Sequence, residues 1–379
     1  MAVCYRCEVE ITIDNEADEH IILNACGGRL KSKALLCKIC NSTFGETFDA
    51  QLAQQTNDLA NLLLIKRARG IPQPIKGTHS KTGEEYLLQF GGEPVLSKPK
   101  VSEKIEGAKI NLSIIANNEK KFRQVLSGLK RKKYPQLDIE KTIESAQRSS
   151  KYLDDPISFK STIGGKEAFK SIVKTAINYF ILKKGERVYI KHLLAYLENK
   201  EELDVVWIHY PDDLIYAPIE NEVSHIIKVV GNPTEKILYA YIELFNLHNF
   251  IVKLNDNYDG QYINETYVFD VINTEELNKV IPLDYSREHI LGLFSNKDSK
   301  PFRKIQNGYE RIMSIAMQRQ SSNQIEKIIN MAISNSLGKY PKGIPITKEM
   351  LNKFNEELME QIMPMIAHKL LNRNERDNE

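Results

Sequence analysis

Apolar residues recur along this chain with two periods, and the change of period divides it. Between Thr47 and Ile65 there is neither Pro nor Gly, and Phe48, Leu52, Leu59, Leu62 and Leu63 keep helical spacing. That pattern predicts a helix running into the basic residues Lys66, Arg67 and Arg69, with Gly70 as its stop. Residues 70–105 are interrupted by Pro, Gly and Lys and read as a linker carrying a hairpin, with Glu85–Phe90 as one strand. Lys109–Ile115 reads as a strand. Glu119–Leu129 reads as a helix with Phe122, Val125, Leu126 and Leu129 on one face.

From about residue 155 the pattern changes. Lys166–Leu182 and Val188–Leu197 have helical character, and strand-like runs follow at Val205–His209, Val223–Val230, Ile237–Phe245, Phe250–Leu254 and Tyr267–Ile272. The turn Asn246–Asn249 between two of these runs predicts an antiparallel hairpin, and its Tyr239, Tyr241, Phe245 and Phe250 read as core. Beyond about residue 285 the chain is helical. Leu351, Phe354, Leu358 and Ile362 form a stripe that Pro364 should kink or end, and the polar tail 372–379 should fray. The expected class is α+β, in four parts: an N-terminal module at 1–69, a linker with hairpin and basic helix at 70–154, an α+β recognition or sensor domain at 155–283, and a helical region at 284–379.

Composition narrows the function classes. The 379 residues carry a formal net charge of only +2, so affinity for nucleic acid must come from local basic clusters. Two qualify: Lys66, Arg67 and Arg69, and the run of Lys120, Lys121, Arg123, Lys130, Arg131, Lys132 and Lys133. For the second, a solvated helix face explains the charges as well as a nucleic-acid track does. No apolar run reaches membrane-spanning length and the first residues lack a signal-peptide layout, so no membrane partner and a cytoplasmic location are expected.

Four of the five cysteines stand in CxxC pairs, Cys4 with Cys7 and Cys37 with Cys40, with 29 residues between the pairs. A CxxC turn presents two thiolates from one knuckle, and two knuckles complete the tetrahedron of a structural zinc closed to water. Cys26 is left over and reads as a small buried apolar residue. Inside the cage lies Asp18-Glu19-His20, and Asn41 follows the second knuckle directly. An imidazole titrating near neutrality suits proton abstraction from water, while a carboxylate and an amide oxygen are hard ligands for Mg²⁺ or Mn²⁺. Elsewhere, Gly164-Gly165-Lys166 fits a helix start as well as a phosphate cradle, and His289 after Glu288 has no metal frame and reads as surface.

Asp18-Glu19-His20-Ile21-Ile22, then Gly27-Gly28, then Cys37-Lys38-Ile39-Cys40-Asn41 with Phe44-Gly45 and Asp49, resembles the zinc-framed branch of the HNH endonuclease superfamily over about residues 1–55. The resemblance implies a ββα-metal fold with His20 as general base, Glu19 as carboxylate ligand and Asn41 as the closing ligand of a catalytic Mg²⁺ or Mn²⁺. The family's middle asparagine falls near Ser32 or Lys33, neither of which is asparagine. The glutamate at 19, where aspartate is commoner, leaves open whether Asp18 or Glu19 meets the metal.

The function so implied is metal-dependent hydrolysis of DNA in restriction or antiviral defence. A single motif per chain implies a homodimer for double-strand cleavage, with the helical C-terminus as its interface, and the large remainder of the chain leaves room for an activating ligand or partner protein. Two other readings stand beside it: a non-catalytic zinc-ribbon protein that binds nucleic acid, and an RNA-directed nuclease.

Overall fold

Two strands of two residues each open the fold: β1 (Glu19–His20) pairs antiparallel with β2 (Lys31–Ser32), with Glu19 opposite Ser32 and His20 opposite Lys31. Helix α1 (Lys38–Phe44) follows and continues through a π-helical turn at Gly45–Asp49 into α2 (Ala50–Gln55) and α3 (Asn57–Leu62). The chain is seen here in a computed structural model that describes residues 2–106, 109–147, 152–211, 214–295, 302–341 and 343–376.

Next comes a four-stranded antiparallel sheet ordered β5-β4-β3-β8, from β3 (Ile75–His79), β4 (Glu85–Leu88), β5 (Pro94–Leu96) and the later β8 (Ile157–Ser158). Within that stretch lie a hairpin of β6 (Lys100–Glu106) and β7 (Lys109–Ile115) and two helices, α4 (Glu119–Lys132) and α5 (Ile139–Glu144). Asn118 and Asp138 cap these helices by accepting from the N–H groups of Lys121 and Lys141.

The second half is built on α6 (Lys166–Leu182), α7 (Lys191–Leu197) and a six-stranded antiparallel sheet ordered β14-β13-β10-β11-β12-β9. Its strands are β9 (Val206–Ile208), β10 (Ser224–Asn232), β11 (Ile237–Leu244), β12 (His248–Asn255), β13 (Ile263–Asp270) and β14 (Glu275–Glu276). Helices α8 (Arg287–Ser295), α9 (Phe302–Leu337) and α10 (Lys348–Arg376) close the chain.

Strand alternation assigns the sheet's two faces. Ile226, Val230, Tyr239, Tyr241, Ile251 and Val268 share one face and pack beneath Ile281, Leu283 and Ile290. On the other face Phe250 and Tyr267 meet Phe169 and Tyr179 of α6, with ring centroids 6.3 and 6.4 Å apart. α6 therefore has the sheet on one side, and its other side receives the N-terminal module, so Lys170 through Phe180 are buried without interruption. All four aromatic residues of the β11–β12 hairpin are core, as expected.

The chain separates into two compact units, one of residues Met1–Gln73 with Ser161–Gln318, the other of Pro74–Lys160 with Arg319–Glu379. This differs from a four-part division: the N-terminal module shares a unit with the large sheet, and residues 70–105 form paired strands instead of a linker with one hairpin. The boundary at Gln318 lies inside α9.

Two local expectations are corrected. The first helical run begins at Lys38 and ends at Leu62, because Leu64 turns left-handed with φ 57°; the basic cluster lies in the extended segment beyond it. Pro364 does not end its helix, since α10 continues to Arg376. One missing N–H is a small loss within 29 residues of helical hydrogen bonding.

His225 on β10 ties the sheet to the module. Its Nδ1 accepts from the Phe245 N–H (3.1 Å), which fixes the proton on Nε2, and Nε2–H donates to the Cys26 carbonyl (2.9 Å). Burial pushes its pKa down to about 4, below the usual 6.5. Because the folded pKa is depressed, the neutral ring's stabilising contribution is complete above pH 6.5 and is lost as pH falls toward 4, by up to about 3 kcal/mol. Thermal unfolding at pH 7.5 and pH 5 should show a steeper acid loss for the native chain than for His225→Gln; equal slopes would contradict this assignment.

Candidate functional site

The cysteine cage assembles from both ends of the module. Cys4 and Cys7 sit in a turn closed by Glu8 N–H donating to the Cys4 carbonyl (2.9 Å), with Glu8 left-handed at φ 62°. Cys37 is the N-cap of α1 and Cys40 lies in its first turn. The four Sγ atoms lie within 4.8 Å of one another, and those of Cys7 and Cys37 are 3.7 Å apart. A Zn–S bond of about 2.3 Å gives tetrahedral S···S edges of roughly 3.8 Å, so this donor set fits zinc. With no ligand position left for water or substrate, such an ion holds structure.

Close backbone approach shapes the loop inside the cage. A Cβ on Gly28 would lie 2.1 Å from the Ile22 carbonyl oxygen, and Gly27 has φ +90° with Ile65 against it. Only glycine satisfies both positions, which accounts for the Gly-Gly pair. Cys26 beside it is buried, with its thiol 3.2 Å from the Thr56 hydroxyl and its pKa pushed by burial up to about 11.

The strand places Asp18, Glu19 and His20 in three different environments. Asp18 is exposed and pairs with Lys31 (2.6 Å), whose ammonium holds its carboxyl below the ordinary range. His20 is half-buried, and its imidazole makes no hydrogen bond among the described residues. Burial lowers its pKa, Lys31 and Arg29 lower it further, and Asp18 opposes them, so the ring is neutral at neutral pH. Asn41 begins the second turn of α1 with its N–H on the Cys37 carbonyl (2.9 Å), and its side-chain amide makes no hydrogen bond among the described residues.

Glu19 turns inward instead and is 2% exposed. Its Oε1 accepts from Asn178 Nδ2 (2.7 Å) and is the oxygen nearest Lys174 Nζ, at 2.5 Å, both on α6. Lys174 also donates to Asp49 Oδ2 (2.6 Å), while Asp49 Oδ1 accepts from Ser171 Oγ (2.6 Å). The Tyr5 hydroxyl completes the chain by donating to Asn178 Oδ1 (2.8 Å). Burial alone would neutralise Lys174, but Asp49 and Glu19 together outweigh it and hold the ammonium charged. Burial raises the pKa of Glu19 against the opposing pull of Lys174.

Ser171, Lys174 and Asn178 were not picked out by motif. Their signal was polar residues at positions i, i+3 and i+7 of an otherwise apolar helix. Among the expected nucleic-acid contacts, Lys66 and Arg69 are exposed, whereas Arg67 is engaged within the module, its Nε on the Ala25 carbonyl (2.9 Å). Lys130, Arg131 and Lys132 are exposed at the end of α4, and Lys133 pairs with Glu103 (3.0 Å). Gly164 exchanges two backbone hydrogen bonds with the Gln55 amide and Lys166 pairs with Glu202, so Gly164-Gly165-Lys166 serves as a helix start. His289 is exposed and stacks on Tyr285.

Residues 4–57 match the family model described as HNH endonuclease, so this segment is similar to modules of the HNH type. No curated protein and no solved structure gave a match. Among the described residues, no helix is long and apolar enough to cross a membrane.

Metal analysis of the purified chain should find about one zinc per molecule. Cys37→Ser should lose that zinc and lower the unfolding temperature, because the ligand field is part of the folding free energy. Zinc retained in full by this variant would argue against the cage.

Proposed function

We propose that this chain is a metal-dependent endonuclease that hydrolyses DNA phosphodiester bonds in restriction or antiviral defence. The observation that carries the reading is a ββα unit framed by four clustered cysteines, matched to a nuclease family, in which one neutral imidazole and one side-chain amide make no hydrogen bond among the described residues. Glu19 and Asn41, with Asp18 on the strand of His20, would supply oxygen donors, and hard oxygen donors suit Mg²⁺ or Mn²⁺. Such an ion, when bound, neutralises charge on the scissile phosphate and on the leaving oxygen.

The chain's own residues do the rest. His20 accepts a proton from the attacking water, which its depressed pKa and unpaired ring permit at neutral pH. Attack in line at phosphorus then expels the 3′-oxygen and leaves 5′-phosphate and 3′-hydroxyl ends. Lys66 and Arg69, exposed beside the module, contact the phosphate backbone, and Lys130, Arg131 and Lys132 provide a second basic surface in the other unit. Arg67 serves this contact indirectly, by holding the segment that carries its neighbours. A homodimer would bring two such centres to one duplex, and residues outside the module would recognise the target or an activating ligand.

Supercoiled plasmid incubated with the purified chain should become nicked or linear with Mg²⁺ or Mn²⁺ and remain intact with a chelator too weak to remove the zinc. His20→Ala should keep zinc and fold while cleaving about 10²- to 10⁴-fold more slowly. Undiminished cleavage by that variant sinks the mechanism, and loss of RNA with DNA untouched would move the substrate class. In the native chain cleavage should decline as pH drops through the depressed His20 pKa, because the base becomes protonated.

A further inference from the structure

Lys174 lies 125 residues beyond Asp49 in sequence, yet its ammonium joins the two elements that carry the proposed ligands and base. Through Glu19 it grips β1, the strand of His20; through Asp49 it grips the helical run that begins with α1 and carries Asn41. Asn178, one turn further along α6, adds a second donor to the same Glu19 oxygen and is itself oriented by the Tyr5 hydroxyl. Oε1 is the oxygen that accepts from Asn178 and the one nearest Lys174 Nζ, so both groups approach the carboxylate on that side, and among the described residues Oε2 accepts no hydrogen bond.

Stability alone is a poor explanation for this arrangement. A buried ion pair contributes little net stability, because desolvation offsets most of the Coulomb attraction, and apolar residues of similar size would pack as well. What a hydrogen-bonded ionic cluster supplies is direction. Donors that hold one oxygen of a carboxylate fix where the other oxygen points, and such supporting groups tune a metal site nearly as strongly as its ligands.

We propose that Lys174, assisted by Asn178, is a positioning residue of the phosphodiester-cleaving centre: it orients Glu19 toward the divalent ion and fixes β1 against the α1 helical run. The inference rests on the nuclease reading. It adds that the N-terminal segment is not a self-sufficient cutter, since α6 from the distant half of the same unit completes it.

The test uses full-length, zinc-loaded protein. Lys174→Met should keep its zinc and its secondary structure by circular dichroism. It should bind Mn²⁺, followed by electron paramagnetic resonance titration, about tenfold or more weakly, and cleave plasmid about 10- to 100-fold more slowly at fixed Mg²⁺. Asn178→Ala should shift Mn²⁺ binding in the same direction by a smaller factor. Should Lys174→Met fold poorly because two buried carboxylates lose their counter-charge, Lys174→Met combined with Asp49→Asn removes one of those charges. That double variant should regain the fold without regaining Mn²⁺ affinity or cleavage.

Native Mn²⁺ affinity and native cleavage in either folded variant overturns the proposal and leaves Lys174 a packing residue. If the native chain neither binds Mn²⁺ nor cleaves any nucleic acid, the nuclease reading itself fails, an outcome distinguishable from the first because it does not involve Lys174.

Discussion

An ammonium group with almost no access to water holds the N-terminal module of this molecule to its scaffold. Lys174 is 2% exposed, and its charge survives burial only because Glu19 and Asp49 stand on either side of it. The dependence is mutual. Among the described residues neither carboxylate pairs with another cation, so each of the three groups would be costly to bury ionised without the others. β1, the run from α1 to α2 and α6 are tied to one another through this cluster. Ser171 donates to Asp49, Asn178 to Glu19, and Tyr5 to Asn178, so that the cluster directs as well as binds.

Around this cluster the module is stapled at its margins by different chemistry. At one end the four thiolates of the cage set α1 against the Cys4 knuckle. At the other, His225 accepts one backbone N–H and donates to the Cys26 carbonyl, tying the glycine loop to the central strand of the large sheet. A module of two two-residue strands and a few short helical segments buries too little apolar surface to be rigid by itself. Four clustered thiols fit to hold a metal, one ionic cluster and one oriented imidazole take the place of a larger core.

How much of this was legible beforehand depended on the range of the interaction. Cys4, Cys7, Cys37 and Cys40 were readable because metal ligation demands fixed residue types at short spacing, and the strands of the large sheet were readable because two-sided burial makes their sequences almost continuously apolar. Helix α6 was located correctly, but its polar stripe had no visible partner, since Glu19 and Asp49 lie more than a hundred residues away in sequence. Glu19 was legible as a ligand type but not as a buried one, because its companion in space is set by tertiary packing. The basic cluster at Lys66–Arg69 was read as the end of a helix; a single left-handed residue, Leu64, stops that helix a turn earlier and leaves Arg67 to bind the Ala25 carbonyl.

The unit that contains the module is interrupted, with residues 74–160 belonging to another unit before the chain returns at Ser161. On a ribosome, the segment bearing Glu19 and Asp49 emerges first and must wait for the 125 residues that separate Asp49 from its lysine. At about 5–20 residues per second that interval is roughly 6 to 25 seconds. During it the cysteine knuckles can close, but the two carboxylates lack the lysine they share and the strand of His20 has only β2 to pair with. The order of synthesis thus leaves this ionic cluster to form only after α6 has been made.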